Sequence, residues 1–252
     1  MNRSELVETW LQEEQQPFMG WDFSYLDGRV TREREHWSYM DRAAKLMRCS
    51  SSMIDMDTGG GEKLLRLQEH WPAEVAATED YPPNFDLATK RLSTLGVRVV
   101  KTPTTDTDPM PFADDEFDLV LNRHAAFNPS EVSRVLSVGG TFLTQQVHGM
   151  WAWDLQAAFD ARPSFPDNTA AKYVPMLEAA GLTIVTVEEW EGRLLFADVG
   201  AIVYYLKAIP WEVPGFTVKT HLRHLLALQE RLEAGGELGF YAARFLIEAR
   251  KM

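Results

Sequence analysis

The run Met53-Ile54-Asp55-Met56-Asp57-Thr58-Gly59-Gly60-Gly61-Glu62 constrains this chain more than any other stretch. A short strand pattern turns through three consecutive glycines into the helix-forming segment Lys63–His70. Glycine reaches backbone conformations closed to other residues, and the first N–H groups of a helix have no partner inside it. Such a turn brings backbone close to a ligand and offers it donors. Eighteen residues past Gly61, a second strand-like run, Ala73 to Thr78, is closed by Glu79, whose carboxylate can accept hydrogen bonds from ribose hydroxyls. The two features read together as a nucleoside-binding half-site.

Around this half-site, strand and helix patterns alternate, the signature of a largely parallel α/β sheet. Strands are expected at 52–56, 74–78, 98–101, 117–122, 140–146, 183–188, 199–206 and 241–249, and helices at 61–70, 84–95, 129–136 and 219–233. Leu6, Val7, Trp10 and Leu11 recur at helical spacing near the N-terminus, and a further helix is expected between His36 and Cys49. Between these two helices Pro17, Gly20 and Gly28 break regular structure. Phe18, Trp21, Phe23 and Tyr25 there are too apolar for free solution, which marks the segment as a candidate lid. The rhythm fails again between His148 and Ala180, a stretch rich in Trp, Phe and Pro. The expectation is one domain over 1–252, with 1–50 as helical cap, 51–147 as the cofactor-binding half, and 148–252 as substrate-facing insertions and last strands.

Composition narrows the partners. A formal charge of −12 opposes binding to phosphate backbones, and the one basic cluster, Arg29, Arg32, Arg34 and Arg42, is interleaved with Glu33, Glu35 and Asp41. Nucleic acid is disfavoured as partner. The longest apolar run, Val199 to Leu206, is too short for a membrane span, so a cytoplasmic location is expected. The single cysteine, Cys49, excludes an internal disulfide and is expected to be buried. His221 and His224 lie three apart on a helix but have no evident third ligand, so no metal site is expected.

Four motifs then occur in order: Asp55 to Gly61; Glu79; Met110-Pro111-Phe112 with Phe117-Asp118-Leu119-Val120; and Arg134-Val135-Leu136 with Gly139-Gly140. Over residues 50 to 147 this set resembles the class I S-adenosylmethionine-dependent methyltransferases. The resemblance implies a Rossmann-like α/β sheet of seven strands, the last antiparallel, with helices on both faces, and S-adenosylmethionine as cofactor. It also implies that Thr58, Gly59 and Gly61 approach the methionine part, that Asp55 sits near the cofactor ammonium, that Glu79 takes the ribose, and that Asp106 with Thr107 recognises the adenine. Asn122 and Arg123, after the fourth strand of that sheet, should line the cofactor cleft. Two positions depart from the family pattern. Asp57 stands where the first glycine is usual, and its carboxylate either pairs with the cofactor ammonium or repels the cofactor carboxylate. Val138 stands where proline is usual.

A nicotinamide enzyme is the competing reading of a glycine loop with a distal acid, but the third glycine of the dinucleotide fingerprint is Leu64 here. For methyl transfer the acceptor must chiefly be held close and aligned. Where it carries a proton, His124 and His148 are the candidate bases. Gln145, Gln146, Trp151 and Trp153 are the candidate acceptor-binding residues, and a small, partly apolar acceptor is expected. The alternatives are an RNA methyltransferase and a protein that binds the cofactor without turnover.

Overall fold

The structure is a computed structural model that describes residues 2–18, 21–103 and 105–252. Gly20, expected to break the chain, lies outside the described residues. In chain order the first elements are α1 (Arg3–Glu14), β1 (Val30–Arg32), α2 (Tyr39–Met47), β2 (Ser52–Met56), α3 (Glu62–Leu65), β3 (Glu74–Glu79), α4 (Pro82–Leu92) and β4 (Arg98–Lys101). They are followed by β5 (Phe117–Arg123), α5 (Pro129–Val135), β6 (Leu136–Val147), α6 (Trp153–Ala157), α7 (Ala170–Ala179), β7 (Leu182–Phe196), α8 (Val199–Ala208), α9 (Leu222–Glu233) and β8 (Leu238–Lys251).

These residues divide into two compact units. The core unit comprises His36–Val147, Asn168–Trp190 and Arg244–Met252, and the accessory unit comprises Met1–Glu35, His148–Asp167 and Glu191–Ala243. β7 and β8 contribute residues to both.

In the core unit the strand order is β7-β8-β6-β5-β2-β3-β4. β5, β2, β3 and β4 pair in parallel with their neighbours, as do β5 and β6, while β8 runs antiparallel to β6. This is the expected seven-stranded sheet with its last strand reversed. Alternation along each strand sends successive side chains to opposite faces. Met53, Ala77, Leu119, Leu121, Leu143 and Leu246 pack with Tyr39, Ala43 and Met47 of α2 and with Ala88 and Leu92 of α4. Their neighbours Ile54, Met56, Ala76, Val120 and Phe142 pack with Val132 and Val135 of α5 and with Tyr173 and Leu177 of α7. Helices therefore cover both faces, and the strand ends are left to carry polar groups.

In the accessory unit β1 pairs antiparallel with the far end of β7, Val30 opposite Phe196, which adds an eighth strand to the count. Val199 to Leu206 is helix α8 and not a strand. Asp198 caps it by accepting from the Ala201 N–H at 2.8 Å, and every residue from Val199 to Leu206 is buried. A continuous apolar run of this length reads the same for a buried strand and a buried helix. The aromatic segment after α1 has a local destination: Phe18 and Tyr25 pack on Tyr204 of α8, with ring centroids 6.3 and 4.6 Å away. Trp151, expected at the acceptor, is core here, and its indole N–H donates to the Tyr205 hydroxyl at 2.9 Å. Cys49 is exposed just after α2, contrary to the expectation of burial. Among the described residues, no helix is long and apolar enough to cross a membrane.

Candidate functional site

The parallel register decides which strand ends share a row. Asp55 pairs with Ala77, Met56 with Asn122, and Arg123 with Gln145. Counting forward from these pairs brings Glu79, Asp57, Arg123 and Gln145 to one level, on adjacent strands, at the carboxyl edge of the sheet. Open α/β sheets bind ligands at this edge. The row runs from two carboxylates through a guanidinium to an amide.

The glycine turn starts directly below it. Gly59 and Gly61 take left-handed backbone angles, φ +64° and +81°. A Cβ on Gly61 would stand 2.9 Å from the Leu92 side chain, so the loop lies against α4 only with glycine there. Asp57 also has a left-handed backbone, φ +55°, held by its N–H on the Thr78 hydroxyl at 3.0 Å. Aspartate is among the few non-glycine residues that accept this conformation. The replacement of the usual glycine therefore keeps the turn and adds a carboxyl group.

The Asp57 carboxyl has a partner within the chain itself. It hydrogen-bonds Glu79, the neighbour in the row, and desolvation first, then the charge of Glu79, push it up to about 7. Asp57 is nevertheless exposed, whereas Glu79 is buried at 3 % exposure. Glu79 Oε1 accepts from the N–H groups of Asp80 and Tyr81 at 3.0 and 2.9 Å, which fixes the carboxylate. Asp55 lies one residue pair deeper. Burial pushes its carboxyl up to about 6, opposed by the Thr58 hydroxyl, which donates to it at 2.7 Å, and by the Arg123 charge.

Asn122, expected in the cleft wall, is fully enclosed. Its Oδ1 accepts from Thr144 at 2.8 Å and from Gln146 Nε2 at 2.6 Å. Gln146 also donates to the Ala125 carbonyl at 2.9 Å and is itself buried. Both side chains have their polar atoms committed to holding the ends of β5 and β6, so they support the site and do not face a ligand. Gln145 is buried as well, but its partners lie along the edge: its Oε1 accepts from the Trp37 indole N–H at 2.9 Å, and its Nε2 lies 3.4 Å from His124 Nε2. His124 has a left-handed backbone of φ +64° at the end of β5, a conformation that turns the chain back across the edge. Asp106 and Thr107 are exposed in the loop after β4, where Thr105 Oγ1 accepts from the Thr107 and Asp108 N–H groups at 3.2 and 2.8 Å. In the accessory unit, His148 Nδ1 accepts from the Met150 N–H at 3.1 Å, and Trp153 is exposed at the start of α6.

Three further residues of the core unit belong to this neighbourhood and escaped the sequence reading. The Tyr39 hydroxyl is buried without a hydrogen-bond partner among the described residues, and the nearby charges of Asp55 and Arg123 act on it. Trp37 holds Gln145. Lys63 is lowered by desolvation first and then by the Arg123 and Arg66 charges, which sets a second cation near Arg123. Tyr39 and Trp37 read in sequence as the apolar face of a helix, and only their tertiary proximity to Asp55 and Gln145 reveals them. No group of His, Cys, Asp or Glu suited to a metal occurs among the described residues.

Comparison with known proteins bears on the fold and on the family of the sheet's centre. Residues 54–144 match a family model described as a methyltransferase domain. The uncharacterized methyltransferase YcgJ of Bacillus subtilis is 28% identical over 126 residues, which is 47% of this chain and 49% of that protein. The chain thus aligns with about half the length of that curated relative. The crystal structure of YcgJ superposes with a TM-score of 0.59 at 20% identity, covering 84% of this chain and 97% of that one. Geranyl diphosphate methyltransferase in complex with S-adenosylmethionine superposes with a TM-score of 0.52 at 16% identity, covering 84% of each chain.

Proposed function

Residues 54–144 are a methyltransferase domain of the class I, Rossmann-like kind, and from that premise we propose that this protein moves a methyl group from S-adenosylmethionine to a small-molecule acceptor. The observation that carries the proposal is the row Glu79, Asp57, Arg123 and Gln145 above the glycine turn. A nucleoside joined to an amino-acid zwitterion needs an acceptor for ribose hydroxyls, an anion for the ammonium and a cation for the carboxylate. Glu79, Asp55 and the Arg123–Lys63 pair supply these in adjacent positions. The buried Tyr39 hydroxyl adds a polar atom that a ligand would satisfy.

The bound cofactor supplies an already activated methyl group, so the work of the chain is to bind, align and exclude water. Glu79 holds the ribose, and Asp55, backed by Thr58, receives the ammonium. The loop carrying Asp106 and Thr107 is the candidate base-recognising segment. His124 is the candidate proton acceptor, with Gln145 beside its Nε2. It is preferred to His148 because it directly follows β5 beside the row, whereas His148 belongs to the accessory unit.

A small acceptor is supported by how the basic cluster is used. Arg29 pairs with Glu13 at 2.8 Å and Asp198 at 2.7 Å, Arg32 pairs with Glu35, and Arg42 pairs with Glu248 at 3.3 Å. Three of the four arginines are neutralised, and Arg34 alone, exposed without an ion pair among the described residues, gives no strip for a polyanion. A second reading, cofactor binding without turnover, draws on one observation: the Asp57 carboxyl hydrogen-bonds the carboxylate that would receive the ribose. Incubating the protein with methyl-labelled S-adenosylmethionine and either a small-metabolite extract or total RNA separates the readings. Label in the metabolite fraction supports the proposal. Label in the RNA fraction alone, or cofactor binding with no transfer at all, contradicts it.

A further inference from the structure

The accessory unit contains a cavity of about 540 Å³ whose lining includes no residue of the sheet-edge row; Phe159, Asp160, Arg162, His221, Arg223 and His224 are among its walls. Two chain segments 63 residues apart in sequence meet there: the turn after α6, and the start of α9. Asp160 holds them together, accepting from Arg223 at 2.6 Å and lying 3.0 Å from His224 Nε2. Its backbone is left-handed, φ +57°, and Arg162, two residues on, lines the same cavity.

Four features make the cavity a receiver of negative charge in a chain of net charge −12. Arg162 has no ion-pair partner among the described residues, and Arg223 is 76% exposed, so both guanidinium groups are available from solvent. His224 Nδ1 is buried without a hydrogen-bond partner among the described residues, which leaves one imidazole nitrogen unsatisfied whichever tautomer is present. α9, a 12-residue helix, begins at this cavity with no side-chain cap and no acidic residue in its first turn. Its first N–H groups and its dipole therefore favour an anion. Asp160 offsets only one of the two guanidinium charges.

We propose that this cavity binds a small organic phosphate. Donors converging from two separate segments suit a tetrahedral oxyanion with several charged oxygens, and forked guanidinium groups match phosphate geometry. A carboxylate presents its two oxygens in one plane and would leave part of this set unpaired. The volume exceeds what a phosphate group alone requires. The remaining wall, formed by Phe159, Val213 and Pro214, fits an apolar organic portion, which is the usual composition of a small-molecule site.

Phenyl phosphate is the probe, with inorganic phosphate and benzoate beside it, titrated calorimetrically into the full chain and into Arg162→Ala and Arg223→Ala. Arg162 has no ion pair among the described residues and the Arg223–Asp160 pair is exposed on both sides, so each substitution costs little stability, which circular dichroism verifies. The expected result is saturable binding of phenyl phosphate, weakened at least about tenfold in each variant, with inorganic phosphate weaker and benzoate weakest. Absence of saturable binding, equal affinity in parent and variants, or benzoate matching phenyl phosphate would each overturn the proposal.

Discussion

Asp57 is the residue at which this chain departs furthest from the pattern it otherwise follows. The sequence shows the replacement of glycine, and it shows that aspartate can keep a left-handed turn. What it does not show is the register of β2 against β3, which sets the carboxyl beside Glu79. The site as a whole follows the same division. Glu79, Asp55 and the glycine turn are legible because motif and strand end coincide, whereas Asn122 and Gln146 look identical to ligand-facing residues until their partners are known. The shared proton has a direction. Below about pH 7 the Asp57 carboxyl is protonated and donates to Glu79, competing with ribose hydroxyls; above it the proton is lost and the competition ends. Asp55, pushed up to about 6, ionises over the same rise and draws the ammonium more strongly. Affinity for S-adenosylhomocysteine should therefore increase from pH 6 to pH 8. Asp57→Gly should bind about tenfold tighter than the parent at pH 6, with the difference narrowing at pH 8 and the remaining dependence centred near the Asp55 value. Parallel pH profiles of parent and variant, measured by calorimetry, would show that Asp57 does not compete.

Among the elements, the strands that form the centre of the sheet are legible because each is a short apolar run between turn signals. The failures have separate causes. α8 is apolar on every side because it is buried on every side, which erases the period that distinguishes helix from strand. α7 carries Pro175 inside it and so reads as part of an irregular stretch, although Thr169 caps it by accepting from the Lys172 N–H at 3.2 Å. β1 has three residues and owes its existence to pairing with β7. The glycine turn joining β2 to α3 is the element on which the cofactor reading most depends. Gly61→Ala would combine a left-handed backbone with a Cβ 2.9 Å from Leu92, so a loss of roughly 1–3 kcal/mol in stability is expected. Urea denaturation reads this directly, and an unchanged midpoint would mean that the turn tolerates a side chain.

For the molecule as a whole, the two units carry different chemistry, one the sheet-edge row and the other the phosphate-suited cavity. The accessory unit also buries an acid. Glu212 has 7 % exposure, and burial pushes its carboxyl up to about 7, opposed by the Gln156 amide that donates to it. A raised carboxylic pKa means that the folded chain holds the proton more tightly than the unfolded one. Its stabilising contribution is full below about pH 4.5 and is lost as pH rises through about 7, a change on the order of 3 kcal/mol. Glu212→Gln should lose correspondingly less stability than the parent between pH 5 and pH 8 in denaturant titrations, and identical losses would contradict the assignment.

Everything proposed for the core unit rests on the sheet-edge row holding the methyl donor and its product. This is tested most directly by titrating S-adenosylhomocysteine into the parent chain and into Glu79→Ala at pH 8, with NAD as the competing ligand. Saturable binding by the parent, no binding of NAD, and a loss of about 1.5–3 kcal/mol for each hydrogen bond to the ribose that Glu79→Ala removes are expected. Equal affinity of parent and variant, or binding of NAD in place of S-adenosylhomocysteine, would contradict it.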